Sequence, residues 1–124
     1  MTIYDFQNWT KENDKASQWH LLTTLQCLSH LTEEVGEIAQ SINRIYEYRG
    51  EVQKKYRENL EQELVDTIWF LVKIANRFDI NLEAKISGFV GRASNWPFEK
   101  HRDKLVNGLM TLDKELSSAR EEIK

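Results

Sequence analysis

Apolar residues recur along almost the whole chain at intervals of three and four, the spacing of helices that bury one side. No stretch alternates with period two for long enough to predict a strand. A first helix is predicted after Thr2, whose hydroxyl suits an N-cap with Asp5 at the third helical position, and it would carry Ile3, Phe6 and Trp9 along one side. The polar stretch Thr10–Ser17 reads as a loop. A long second helix is predicted from near Trp19, with the stripe Leu21, Leu25, Leu28, Leu31, Val35, Ile38, Ile42 and Ile45. Gly50 is its natural break. The third helix is predicted over 52–78, striped by Leu60, Leu64, Thr67, Leu71, Ile74 and Phe78, and Asn81 opens a short fourth whose end Gly88 and Gly91 weaken. Beyond Pro97, Leu105, Leu109, Leu112, Leu116, Ala119 and Ile123 form a heptad-like seam on a charged helix. The expected fold class is all-α: a helical bundle of four to five helices built on a long antiparallel hairpin. Residues 1–97 would form the core, and 98–124 an amphipathic helix for packing or oligomerisation.

Composition narrows the classes. With 124 residues, 40% hydrophobic and 30% charged, the chain has material for one folded core rather than wholesale disorder. A net charge of -3 gives no electrostatic footprint for nucleic acid, so none is expected as a partner. Cys27 is the single cysteine, which excludes an internal disulfide and a thiolate zinc cluster, and its apolar setting predicts a small core residue. The N-terminus lacks the pattern of a signal peptide, and Asp66 and Lys73 interrupt the longest apolar run, so no membrane span and a cytoplasmic location are expected.

The acids carry the chemistry. Glu37 and Glu63 each lie 13 positions from Gly50, and Glu34 and Asp66 each lie 16 positions from it. In an antiparallel hairpin, Glu-x-x-Glu on one helix then faces Glu-x-x-Asp on the other, and residues three apart share a helix face. Asp66 sits within a run that is apolar nearly all round, from Leu64 to Ala75, and Glu34 sits between Leu31 and Ile38. Like charges buried together are costly unless a cation offsets them. Oxygen ligands without Cys or a nearby His suit Mg²⁺, or Mn²⁺, rather than zinc. Glu33 is either a supporting group or simply exposed, and Glu12, Glu47, Glu51, Glu58, Glu61 and Glu115 are expected on solvated faces.

The segments Glu33-Glu34-Val35-Gly36-Glu37-Ile38-Ala39 and Glu63-Leu64-Val65-Asp66-Thr67-Ile68-Trp69-Phe70-Leu71 resemble the paired motifs of MazG-like nucleotide pyrophosphohydrolases, and the continuation Ile74–Glu83 is similar too. The resemblance spans roughly Ile3 to Pro97. It implies an all-α NTP pyrophosphatase fold, usually oligomeric, as a homodimer or homotetramer. It also implies Mg²⁺-dependent cleavage of a nucleoside triphosphate to monophosphate and pyrophosphate. Glu34, Glu37, Glu63 and Asp66 occupy the family's metal-ligand positions, and one of them, or Glu33, would act as general base. Near Gly88 and Arg92 many relatives have a Lys and an Asn that hold phosphates or sugar. Lys85, Arg92 and Asn95 are the substitutes this chain offers, or are surface residues.

Trp19 and His20 resemble an aromatic–His pair that precedes the first motif in some relatives, and are candidate base contacts, although most tryptophans serve cores or interfaces. His30 and His101 carry no recognisable ligand spacing, and Lys54, Lys55 and Arg57 read first as a solvated face. A di-iron carboxylate bundle would need Glu-x-x-His on two helices, which is absent. The competing reading is a catalytically weak or inactive nucleotide-binding or helical interaction protein of the same fold.

Overall fold

The computed structural model describes the backbone of residues 1–95 and 98–123, and the side chains of residues 1–95 and 102–115. Its elements are helices α1 (Ile3–Ala16), α2 (Thr24–Glu47), α3 (Gly50–Arg77), α4 (Leu82–Ser94) and α5 (Phe98–Ile123), with a single 3₁₀ turn over Trp19–Leu21. No strand occurs among the described residues. The chain divides into two compact units, Met1–Lys85 and Ile86–Lys124.

Local chemistry sets most of the boundaries. Thr2 caps α1 in a capping box with Asp5: each backbone N–H donates to the other's side chain at 3.0 Å. Thr23 and Gln26 repeat the device on α2, so that helix begins at Thr24 and not near Trp19. Asp79 takes a left-handed conformation after α3, and the Ile80 N–H reaches back to the Ala75 carbonyl at 2.9 Å, a Schellman closure. Asn81 then caps α4 by accepting from the Ala84 N–H at 3.1 Å. Gly88 and Gly91 do not end α4, which continues to Ser94.

The turn between α2 and α3 is short. Gly50 has a φ of +64°, so the predicted break is the first residue of α3, in a conformation that costs glycine little. Arg49 donates to the Tyr46 and Tyr48 carbonyls at 3.1 and 2.8 Å, satisfying acceptors at the end of α2. Gln53 donates across the turn to the Ile45 carbonyl at 2.8 Å, and Tyr48 stacks on Tyr56.

Several expectations fail in the first unit. The predicted loop Thr10–Ser17 is helical through Ala16, because Thr10 and Asp14 face α3 rather than solvent: Thr10 is fully buried and Asp14 pairs with Lys73. The stripe Ile3, Phe6, Trp9 is likewise not the inner face of α1. Buried Gln7 is, accepting from the Leu82 N–H at 2.9 Å and donating to Asn76 and the Ile80 carbonyl. The inner face of α2 is also rotated from the predicted stripe. Cys27 and Ser41 are buried and His30, Glu34 and Ile38 half-buried, whereas Leu25, Leu28, Val35 and Ile42 are exposed. On α3, Phe70, Val72 and Ala75 are buried, while Leu64, Val65, Ile68 and Leu71 are about half exposed.

In the second unit, α5 carries exposed Leu105, Leu109 and Leu112. Trp96, Pro97 and the side chains of His101, Leu116, Ala119 and Ile123 lie outside the described residues.

Candidate active site

The hairpin of α2 and α3 carries the acids, and its register can be read from a ring contact. His30 and Phe70, each 20 positions from Gly50, stack with ring centroids 5.3 Å apart and planes 11° apart. One helical turn closer to Gly50 come Glu34 and Asp66, then Glu37 and Glu63.

The electrostatics agree with that placement. The Glu34 carboxyl is held above the ordinary range, first by desolvation and then by the neighbouring charges of Glu37, Asp66, Glu63 and Glu33. The other four acids named from the sequence thus lie near enough to Glu34 to raise its carboxyl. Glu34, Glu63 and Asp66 are half-buried, while Glu33 and Glu37 are exposed. One oxygen of Glu34 and one of Glu63, both Oε2, are buried with no hydrogen-bond partner. Such acceptors are costly to leave unmade, and two of them in one acidic cluster form a donor set that a hard cation would satisfy.

The side chains do not yet converge. Among the described residues, no three His, Cys, Asp or Glu side chains are arranged to hold a metal ion. Asp66 Oδ1 instead accepts from Gln62 Nε2 at 3.0 Å. Like charges drive uncompensated carboxylates apart, so gathering them requires a compensating charge.

Beside the acids, toward the open end of the hairpin, lies an aromatic cluster that sequence reasoning missed. Trp19 packs against His30, Trp69 and Phe70 with centroids 5.9–6.5 Å apart. His30 also places Nδ1 3.5 Å from Glu33 Oε2. Trp69, three positions after Asp66, has a buried indole N–H without a partner. At the back of the cluster the Lys73 ammonium, 2% exposed, pairs with Asp14 and lies 3.9 Å from the Trp69 ring centroid and 4.7 Å from that of Trp19. Lys73 was visible in the sequence only as an interruption of an apolar run. A lysine there demands a buried counter-charge, but the partner is 59 residues away and spacing cannot name it.

The remaining candidates are placed as follows. Trp19 is half-buried in the aromatic cluster, and His20 is exposed, its Nδ1 3.2 Å from the Asp14 carbonyl. Lys85, Arg92 and Asn95 are exposed, and Asn95 donates to the Gly91 carbonyl at 3.1 Å.

An antiparallel helix hairpin with a paired Glu/Asp cluster, one turn from an aromatic cluster, defines an all-α domain of the nucleotide pyrophosphohydrolase type. The sequence model of the MazG nucleotide pyrophosphohydrolase domain matches residues 22–93, more than half of the chain and all five acids, and the chain belongs to that family. Among curated proteins it is similar to the uncharacterized protein YpjD of Bacillus subtilis (strain 168), at 42% identity over 62 residues. That match covers 48% of this chain and 53% of YpjD, so the chain spans about half the length of the curated relative. Among the described residues, no helix is long and apolar enough to cross a membrane.

Proposed function

We propose that this chain hydrolyses a nucleoside triphosphate to a nucleoside monophosphate and pyrophosphate, with Glu34, Glu37, Glu63 and Asp66 holding Mg²⁺, or Mn²⁺ in its place. The observation that carries this reading is the pair of buried, unpartnered oxygens on Glu34 and Glu63 within an acidic cluster of the matched family segment. A bound divalent cation would neutralise the phosphate oxygens and lower the pKa of a coordinated water.

The chain's own residues do the rest. The four acids would hold the cation against which the phosphates are positioned. Water attacks the α-phosphorus, the bond from that phosphorus to the bridging oxygen breaks, and pyrophosphate leaves. The water's proton passes to a carboxylate of the cluster; Glu33, beside His30, is one candidate. Trp19 and His20 are the proposed base contacts, and Lys85, Arg92 and Asn95 the proposed phosphate and sugar contacts.

The reading includes a homo-oligomer, a dimer or tetramer. Ile42 of α2 and Leu64 of α3 line one open groove of about 360 Å³, and both helices continue outward in half-exposed Leu, Val and Ile side chains. A contiguous apolar patch of that kind is uncommon on soluble monomers.

The test is a panel of nucleoside triphosphates with Mg²⁺, reading pyrophosphate and monophosphate together. Asp66→Asn and Glu37→Gln should each abolish release while helicity by circular dichroism stays intact. Orthophosphate and a diphosphate as primary products, or full activity in either variant, overturns the assignment. Because this chain has Gly88-Phe89-Val90-Gly91-Arg92 near where many relatives carry a Lys and an Asn, nucleotide binding without pyrophosphate release would favour the non-catalytic reading.

A further inference from the structure

A second polar cavity lies between α1 and the C-terminal half of α3, within the unit Met1–Lys85. Its volume is about 220 Å³, and Lys11, Asp14, Lys15, His20, Lys73 and Arg77 are among its lining residues. Four permanent cations thus meet one carboxylate, in a chain whose net charge is -3.

The charges are not equivalent. Asp14 is already matched by the buried Lys73 ammonium, so that pair contributes little net field. Arg77 spends one nitrogen on a long 3.5 Å contact to the Trp19 carbonyl, leaving the rest of its fork available. Lys11 and Lys15, one helical turn apart on α1, are both exposed. The surplus is therefore three cations around one small concavity. Lysine points and an arginine fork are the groups that recognise tetrahedral oxyanions.

Size narrows the ligand. The volume falls below the roughly 300–1,000 Å³ of sites that enclose drug-sized molecules. It suits an inorganic oxyanion or the terminal phosphate of a larger molecule, not a whole nucleoside triphosphate. The acids of the proposed active site are not among its lining residues; of the proposed substrate contacts it shares His20 alone.

We infer that the cavity between α1 and α3 is a phosphate-type oxyanion site, held by Lys11, Lys15 and Arg77 above the Asp14–Lys73 pair and separate from the carboxylate cluster. Binding here needs no divalent cation, which distinguishes it from substrate binding at the acids.

The experiment titrates the full chain with pyrophosphate, orthophosphate, a nucleoside monophosphate and the matching nucleoside, in EDTA, by calorimetry and amide NMR. Pyrophosphate should bind saturably and shift the amides of Lys11, Lys15 and Arg77. Lys11→Gln/Lys15→Gln, which alters only exposed side chains, should weaken it at least about tenfold, as expected for the loss of charge-assisted contacts. Glu34→Gln should leave it unchanged. The nucleoside should not bind. A monophosphate that binds at the same residues as tightly as pyrophosphate identifies the source as a nucleotide's phosphate, and binding by inorganic anions alone identifies a free oxyanion. No saturable binding, binding indifferent to Lys11→Gln/Lys15→Gln, or binding lost in Glu34→Gln overturns the inference. Loss of activity in the nucleotide panel leaves it standing, since none of these readouts uses turnover.

Discussion

Removing Asp14 strands the most deeply buried charge in the first unit. Lys73 is 2% exposed, and Asp14 is its carboxylate partner, with a side chain 14% exposed. In Asp14→Asn the ammonium keeps the ring faces of Trp19 and Trp69, worth up to about 2 kcal/mol when desolvated, but loses its counter-charge. Breaking a buried pair from one side typically costs about 3–5 kcal/mol. At about 4 °C per kcal/mol for a chain of this size, the melting temperature should fall by roughly 12–20 °C. Lys73→Met should cost a similar amount, since it leaves a largely buried carboxylate unpaired. The double variant removes both charges and keeps the volume, so it should return to within about 1 kcal/mol of the parent. Urea unfolding followed at 222 nm, with tryptophan fluorescence as second probe, measures all four proteins. Single variants that each cost under about 1 kcal/mol, or a double variant that costs their sum, would refute the view that this pair clamps α1 to α3.

Three further outcomes follow from the structure. Glu34 is held above the ordinary carboxylate range, so the folded state binds more protons than the unfolded chain between its ordinary and raised pKa, and stability falls as pH rises through that window. Glu34→Gln in metal-free buffer should therefore melt higher than the parent at pH 7, with the gap closing as pH drops below about 4, and Mg²⁺ should raise the melting temperature of the parent alone; a lower-melting variant at pH 7 contradicts this. Ile68→Glu places a charge on the half-exposed apolar face of α3 and should shift sedimentation at micromolar concentration toward the monomer, whereas a parent that already sediments as a monomer with Mg²⁺ and nucleotide defeats the oligomer proposal. Gly50→Ala should destabilise by about 1 kcal/mol because φ is +64° there although nothing crowds the added Cβ, and an unchanged urea midpoint would count against the left-handed turn.

Local sequence determined the helices and their ends wherever a side chain bonds within a few residues of itself. Thr2 with Asp5, Asn81 and the break at Gly50 are legible because their partners lie within one turn. Hairpin symmetry put Glu34 and Asp66, and Glu37 and Glu63, at matching heights on α2 and α3, since two rigid rods joined by a tight turn leave little freedom of register. Tertiary structure alone decided which faces turn inward. Of the apolar stripe predicted for α2, Leu31, Ile38 and Ile45 are half-buried but Leu25, Leu28, Val35 and Ile42 are exposed, while His30 and Ser41 turn inward, because a helix with two apolar sides does not say which one its own chain covers. Asp14, in a polar stretch that reads as a loop, was misplaced for a similar reason. Its partner Lys73 becomes a neighbour only after α1 has docked on α3, as Asn76 and Leu82 do for buried Gln7.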